Sequence, residues 1–423
     1  MWENTMIQIV EKELCTGCAA CSQKCPKKCI SMVPDKEGFL YPVVEKSSCI
    51  NCGMCEKVCP VKKIHAVQKN ELPNSYLVYD KDTQRRIDSA AGGAFTGLAY
   101  YFIRKLNGVV FGAAYAEDFS VYHTYAETED ELHKFQKSKY VQSDIKDCYE
   151  KVKDFLDAGR YVLFSGTACQ VYGLKSYLGK EYVKLYCVDL ICYGVPSPKV
   201  FSKYLEYMSS KYGAIKNVIV RDKQLKRNRY QMGYGIEFNS GYKYFSKHSV
   251  DPMARIFYGK IASRPVCYEC PYKTLWRVSD LTVGDCWYGS EFIPGFTDKY
   301  GITLVICQSD KGSRLLLECA DLVKYEVPTE DIAKVNGGML YSSCEKPKKR
   351  EEFFDKLDKY DFSELADYFY PVQKESKKSI IRSFLSDSGL LPGFINHLYR
   401  KKKVEKMIRS RNIPEEAKGL TEL

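Results

Sequence analysis

The sequence of 423 residues has no long apolar run. Its longest stretches without a formal charge, Ser89 to Ile103 and Tyr161 to Leu174, fall short of the roughly 18 to 20 apolar residues that cross a bilayer. The opening MWENTMIQIVEKEL lacks the basic-then-apolar layout of a signal peptide, which gives the expectation of a cytoplasmic protein. With 45% hydrophobic and 28% charged residues the chain is neither disordered nor fibrous. Its length allows two to four domains at roughly 100 to 200 residues each. Cysteine stays well below the roughly 8 to 10% of a disulfide scaffold.

Cysteine is nevertheless plentiful for a reducing compartment, at 19 residues, and short regular spacings there read as metal ligands rather than bridges. The formal charge of +11 counts every thiol as neutral. Each 4Fe-4S cubane with its four thiolates carries about −2, so two or three would leave roughly +5 to +7. The basic excess is then no strong sign of nucleic acid, and the basic residues lack the interleaved aromatics of a nucleic-acid module.

Cys15, Cys18, Cys21 and Cys25-Pro26 form C-x2-C-x2-C-x3-C-P, and Cys49, Cys52, Cys55 and Cys59-Pro60 repeat it. Tight x2 spacings bring three thiolates to one cubane, and the fourth, displaced and followed by Pro, serves the other. One 4Fe-4S cluster is therefore assigned to Cys15, Cys18, Cys21 and Cys59, the second to Cys49, Cys52, Cys55 and Cys25. Zinc sites use C-x2-C pairs rather than three-plus-one runs. Cys29 lies outside the pattern and reads as a plain buried thiol. The segment resembles a bacterial two-cluster ferredoxin and forms a domain over 1–68, closed by the linker-like QKNELPNS.

Beyond it, helices and strands alternate. The spacing predicts a helix over Gly93 to Leu106 stopping at Asn107-Gly108, and strands at GVVFGAAYA, RYVLFS, VKLYCVDLIC and IKNVIVRD. It also predicts a helix over Ile145 to Leu156 and a hairpin near Asn239-Ser240-Gly241. The fold class read here is α+β: the small ferredoxin domain, a mixed α/β core in two parts, 76–150 and 151–343, and a basic, mostly helical tail over 344–423. In the core, SAAGGAF (Ser89 to Phe95) sets glycines before a helix, a phosphate-binding layout or a simple turn. FSGTACQ (Phe164 to Gln170) follows a strand, where open sheets place their crevice. Cys267 and Cys270 form an isolated C-x2-C, readable as a cluster pair, a redox pair or packing.

The series SAAGGAF, SKYVQS, LFSGTACQVYGL, VDLICYGVPSP, RPVCYECPYK and RVSDLTVGDCW, over about residues 1 to 340 with the ferredoxin run, resembles the coenzyme F420 hydrogenase/dehydrogenase beta-subunit family in its stand-alone bacterial form. The resemblance implies FAD and iron-sulfur clusters passing electrons between a low-potential donor such as ferredoxin and a small organic acceptor. The resemblance is to members from anaerobic bacteria often encoded beside surface-polysaccharide genes, in hosts that do not generally make F420, which implies a role in surface polysaccharide or other anaerobic metabolism and leaves the use of F420 open. The sequence departs from the commonest family pattern at Tyr193, where His often follows Cys192, and at Ala168, where Pro often precedes Cys169; the first removes a candidate acid. A third 4Fe-4S cluster is expected on Cys169, Cys192, Cys267 and Cys270. Cys148, Cys187, Cys286, Cys307, Cys319 and Cys344 lack ligand spacing and read as core or surface thiols.

For the flavin, resemblance and local chemistry together point to Ser89, Gly92 and Gly93 at the pyrophosphate, Lys139 and Tyr140 at the ring, and Gly166 and Thr167 beneath it. A Lys139 cation at the N1–O2 edge would stabilise the reduced anion; its bland alternative is a solvated lysine. Arg264, Arg277, Asp280 and Asp285 are candidates for phosphate, ribose or substrate, or equally for structural ion pairs. His123 in VYHTYA is a candidate proton donor, although a lone strand histidine is more often structural. The helix-like LYRKKKVEKMIRSR, with Phe394, Ile395, Leu398 and Met407, reads as a solvated face in preference to a membrane contact. An electron-transfer subunit serving a partner enzyme, and an iron-sulfur structural or sensor module, remain the competing readings.

Overall fold

The computed structural model describes residues 10–67, 71–226, 229–293, 296, 300–373 and 393–422. Part of the expected linker, residues 68–70, lies outside them, as do the side chains of Phe394 and Ile395.

The first domain is a small hairpin flanked by two short helices. Strands β1 (Ile30–Pro34) and β2 (Leu40–Val44) pair antiparallel, Ile30 opposite Val44. The helices Ala20–Lys24 and Met54–Lys57 each follow a left-handed residue, Ala19 (φ 60) and Gly53 (φ 69). A third strand, β3 (His65–Val67), leaves the domain.

Behind it stands one eight-stranded mixed sheet. It takes β4 (Ser75–Asp80), β5 (Val109–Tyr115), β6 (Val121–Ala126), β7 (Val162–Thr167) and β8 (Leu185–Leu190). Strands β9 (Ile215–Lys226), β10 (Arg229–Phe238) and β11 (Lys243–Lys247) then form a separate antiparallel sheet. The chain returns to the large sheet with β12 (Leu281–Asp285), β13 (Thr303–Cys307) and β14 (Leu322–Val327), giving the order β14-β4-β13-β12-β8-β7-β5-β6. Within it β5, β7, β8 and β12 run parallel. Val162, Leu163 and Phe164 of β7 are wholly buried, the apolar run expected of a strand covered on both faces. Strands from both sides of residue 150 share this sheet, so the two expected parts of the core are one body.

The helices end where the sequence signals. Ala94–Leu106 stops at left-handed Asn107 (φ 47), and Ala168–Leu178 runs from a Thr167–Gln170 capping box to Gly179 (φ 68). Helices Pro198–Tyr212, Pro252–Tyr258, Arg350–Lys356 and Phe362–Phe369 cover the smaller sheet, burying Tyr204, Tyr234, Phe353 and Leu365 together. The C-terminal region is thus no appendage. Its helix Gly393–Ser410 leads to a last strand, β15 (Leu420–Glu422), which pairs antiparallel with β3. Among the described residues no helix is long and apolar enough to cross a membrane.

The ferredoxin domain is fixed to the core by buried polar contacts. Arg350 binds both carboxylate oxygens of Glu37 (2.7 and 2.5 Å), and Ser176 Oγ donates to the Val58 carbonyl (2.6 Å). Gln23 accepts from the backbone N–H of Tyr149 at 2.9 Å.

Candidate functional site

The doubled cysteine run is also doubled in backbone. Gly17 (φ 68) and Asn51 (φ 52) stand two residues after Cys15 and Cys49; Ala19 (φ 60) and Gly53 (φ 69) directly follow Cys18 and Cys52. These left-handed turns curl each run around a cavity. Cys15, Cys18, Cys21 and Cys59 line one; Cys25, Cys49, Cys52 and Cys55 line the other. Each cavity thus receives three thiols from one run and the fourth from the other, a donor set that fits a cubane. Cys52 is exposed, so the second cavity is the outer one. Cys29 is buried, but it lines the outer cavity with Sγ 3.4 Å from that of Cys25.

The four core cysteines lie near enough to act on one another: burial raises the Cys169 thiol, a hydrogen bond with Thr167 lowers it, and charge on Cys270, Cys192 and Cys267 raises it further. Gly194, in a left-handed turn (φ 94), brings the Cys192 loop so close that a Cβ there would stand 3.4 Å from Cβ of Cys267. Cys270 precedes Pro271 and holds φ −66, ψ 116; Cys25 and Cys59, also before prolines, hold −69, 115 and −66, 115. Proline drives its predecessor to this conformation, so the C-P of RPVCYECPYK repeats the backbone of the two N-terminal C-P pairs. Tyr272, buried, belongs with Ala168 and Tyr172 to an apolar cluster against which Cys169 and Cys270 pack, and its hydroxyl is raised by burial first and then by charge on Cys18, Cys169, Cys270 and Cys59.

A cavity of about 680 Å³ opens at the carboxyl ends of the parallel strands, where open sheets bind ligands. Cys169 and Cys192 are in its wall. So are Ser89, Gly93, Gly166, Thr167 and Asp285. The helix Ala94–Leu106 starts here on left-handed Gly93 (φ 87) with no side-chain cap on its first N–H groups, a layout that fits a phosphate. Tyr140 stacks on Phe257, ring centroids 4.2 Å apart. Lys139 lines the wall as well, with Nζ on the carbonyls of Lys134 and Gln136 (both 2.8 Å) and burial pushing its amine down to about 7. His123 is in the wall with both nitrogens engaged: Nδ1 with Ser143 Oγ (2.9 Å), Nε2 with the Ser165 carbonyl (3.0 Å). Its geometry is that of a wall residue rather than a free proton donor.

Four of the expected residues are not brought to the cavity. Gly92 is buried, its N–H on Thr303 Oγ1 (2.9 Å), and a Cβ there would meet the Val78 carbonyl at 2.5 Å. Its lack of a side chain serves close packing between strands. Arg277 pairs with Asp189 (3.3 Å) beneath the strand ends. Asp280 accepts the N–H of Cys187 (2.8 Å) and the hydroxyl of Ser309 (2.7 Å). Arg264 turns away to the ferredoxin domain.

Sequence reasoning missed Arg221 and Lys223. Gly233 pairs with Asp222 and Tyr234 with Val220, so Arg221 is the extra residue of a β-bulge, with φ 62. The bulge aims it into the cavity wall, where it holds Asp285 with two bonds (2.6 and 3.0 Å) and the Ala90 carbonyl at 3.0 Å. Lys223 Nζ donates to the carbonyls of Arg86, Ala91 and Tyr300 (2.6, 2.6 and 2.9 Å) behind the same glycine loop.

Comparison with known proteins agrees with this division. Residues 14–63 match the 4Fe-4S dicluster domain, and residues 159–332 match the C terminus of the coenzyme F420 hydrogenase/dehydrogenase beta subunit. A solved structure, the xenon-derivatised F420-reducing NiFe hydrogenase complex from Methanosarcina barkeri, is similar at 16% identity and a TM-score of 0.42, over 69% of this chain and 93% of that one. No curated protein matches. The chain joins a 4Fe-4S dicluster domain over residues 14–63 to a region, residues 159–332, that matches the C-terminal domain of the coenzyme F420 hydrogenase/dehydrogenase beta-subunit family.

Proposed function

We propose that the chain is an iron-sulfur flavoprotein oxidoreductase that carries electrons from a low-potential donor such as ferredoxin, through its 4Fe-4S clusters, to FAD and on to a small organic acceptor. The observation that carries this reading is the position of Cys169 and Cys192, which belong at once to the four-thiol group and to the wall of the 680 Å³ cavity. Bound there, FAD would supply the exchange between one-electron and two-electron chemistry. The residues around it have separable tasks. The open N-terminus at Gly93 receives a pyrophosphate, Ser89 stands beside it, and Tyr140 on Phe257 gives a flat apolar wall. Lys139 supplies a cation when an anion enters, and Arg221 with Asp285 fixes the wall between the glycine loop and β12.

The relay runs inward from the exposed Cys52, through the set that includes Cys18, past Tyr272, to Cys169. The test is anaerobic turnover of small organic acceptors by reduced protein. Oxidation of the wild type by an organic acceptor, lost in Cys169→Ala, supports the reading. Oxidation by protein acceptors alone would replace it with the electron-transfer subunit.

A further inference from the structure

Arg264 is wholly buried, yet among the described residues none of its hydrogen-bond partners is a carboxylate. Its Nε donates to the Cys15 carbonyl (2.7 Å), one terminal nitrogen to Gln142 Oε1 (3.0 Å), and the other to the Leu40 carbonyl (3.0 Å) and towards Cys15 Sγ (3.7 Å). The guanidinium also lies 4.2 Å from the centre of the Tyr41 ring. A buried cation answered only by neutral dipoles is expensive, and a negative group beside it removes the expense. A cubane with its thiolates carries about −2 and would adjoin this guanidinium through Cys15.

The main chain of the same residue faces the other way. Its N–H donates to the Val195 carbonyl, three residues beyond Cys192, and its carbonyl accepts from Cys267 N–H, both at 2.9 Å. Arg264 therefore touches a ligand of the inner N-terminal set with its side chain and a ligand of the core set with its backbone. Gly17 makes room for it, since a Cβ there would lie 2.7 Å from the guanidinium.

We infer that Arg264 is a positioning residue of the electron relay: it raises the reduction potential of the cluster held by Cys15 and locks that cluster's loop to the Cys267 loop. This rests on the reading of Cys15 as a ligand. A cation and an N–H···S contact favour the more negative, reduced cluster. In the step concerned, the outer cluster loses one electron to the inner one, with no bond made and no proton moved; the donor that refills it is a low-potential one-electron carrier.

The experiment is a redox titration followed by electron paramagnetic resonance on the full chain, with signals assigned by their loss in Cys18→Ala and Cys52→Ala. Arg264→Gln is expected to lower the inner potential by at least tenfold in the reduction equilibrium, about 59 mV for one electron, and to leave the outer potential unmoved. Unmoved potentials in a variant that keeps its iron overturn the proposal. If Arg264→Gln loses its iron, Arg264→Met reconstituted anaerobically with iron and sulfide decides, because it removes the charge and the N–H donors at similar length: a lowered inner potential supports the proposal and an unchanged one overturns it. Cys15→Ala keeps the two readings apart: survival of both N-terminal signals there would sink the ligand assignment on which the role of Arg264 rests, whereas loss of the inner signal there with an unmoved potential in Arg264→Gln would sink the role of Arg264 alone.

Discussion

A Cβ on Gly173 would stand 2.8 Å from Cβ of Cys18 and 3.1 Å from its sulfur. The helix Ala168–Leu178 thus rests against the inner cluster turn at its middle and carries Cys169 at its start. Gly173→Ala should push the ferredoxin domain off this helix. Overpacking of this kind costs about 1 to 3 kcal/mol. Thermal unfolding is expected to show that loss, and electron transfer from the N-terminal clusters to the core should slow in the same variant.

The Glu37–Arg350 pair ties the hairpin turn of the first domain to the helix Arg350–Lys356, and both residues are buried. Removing one partner of such a pair leaves an uncompensated charge and costs about 3 to 5 kcal/mol. Glu37→Ala should therefore lower stability to urea by that order, whereas exchange of an exposed pair such as Lys153–Asp157 should change little.

His123 gives a stability that depends on pH. Burial first, then the charge of Lys139, holds its imidazole down at about 4 against an ordinary 6.5. The folded chain keeps it neutral where the unfolded chain takes up a proton. Its contribution is present above pH 6.5, falls as pH drops from 6.5 to 4, and amounts to on the order of 3 kcal/mol across that window. His123→Gln should flatten this part of the curve of unfolding free energy against pH. An unchanged slope would show that other groups dominate it.

Arg221 is expected to matter for ligand affinity. Arg221→Ala frees Asp285 inside the cavity wall and releases the Ala90 carbonyl of the glycine loop. Flavin retention should fall at least tenfold, about 1.4 kcal/mol, as read by equilibrium dialysis, with iron content unchanged.

Much of this was legible in the sequence, for local reasons. The cysteine spacings, the apolar RYVLFS run and the Asn107-Gly108 stop are each set within a few residues, and they mark where the ligands, β7 and the long helix lie. What escaped was long-range. Arg264 stands three residues before Cys267 and so read as part of the core site, but its side chain is drawn 249 residues back to Cys15 by packing between domains. Arg221 looked like one residue of an ordinary strand, because a bulge exists only in the register with β10. Gly92 read as half of a phosphate loop, and only the approach of Val78 and Thr303 shows why it lacks a side chain. The pairing of β15 with β3 brings the end of the described chain back to the strand that leaves the first domain and had no local signal.

We propose three four-iron groups and one flavin, held in the two N-terminal cavities, at the core thiol group and in the adjoining pocket. The most direct measurement is the iron and flavin released together when anaerobically prepared protein is denatured. The expected release is about 12 irons and one FAD per chain, with Cys270→Ala falling to about 8 irons. About 8 irons and no flavin in fully loaded wild type would contradict it.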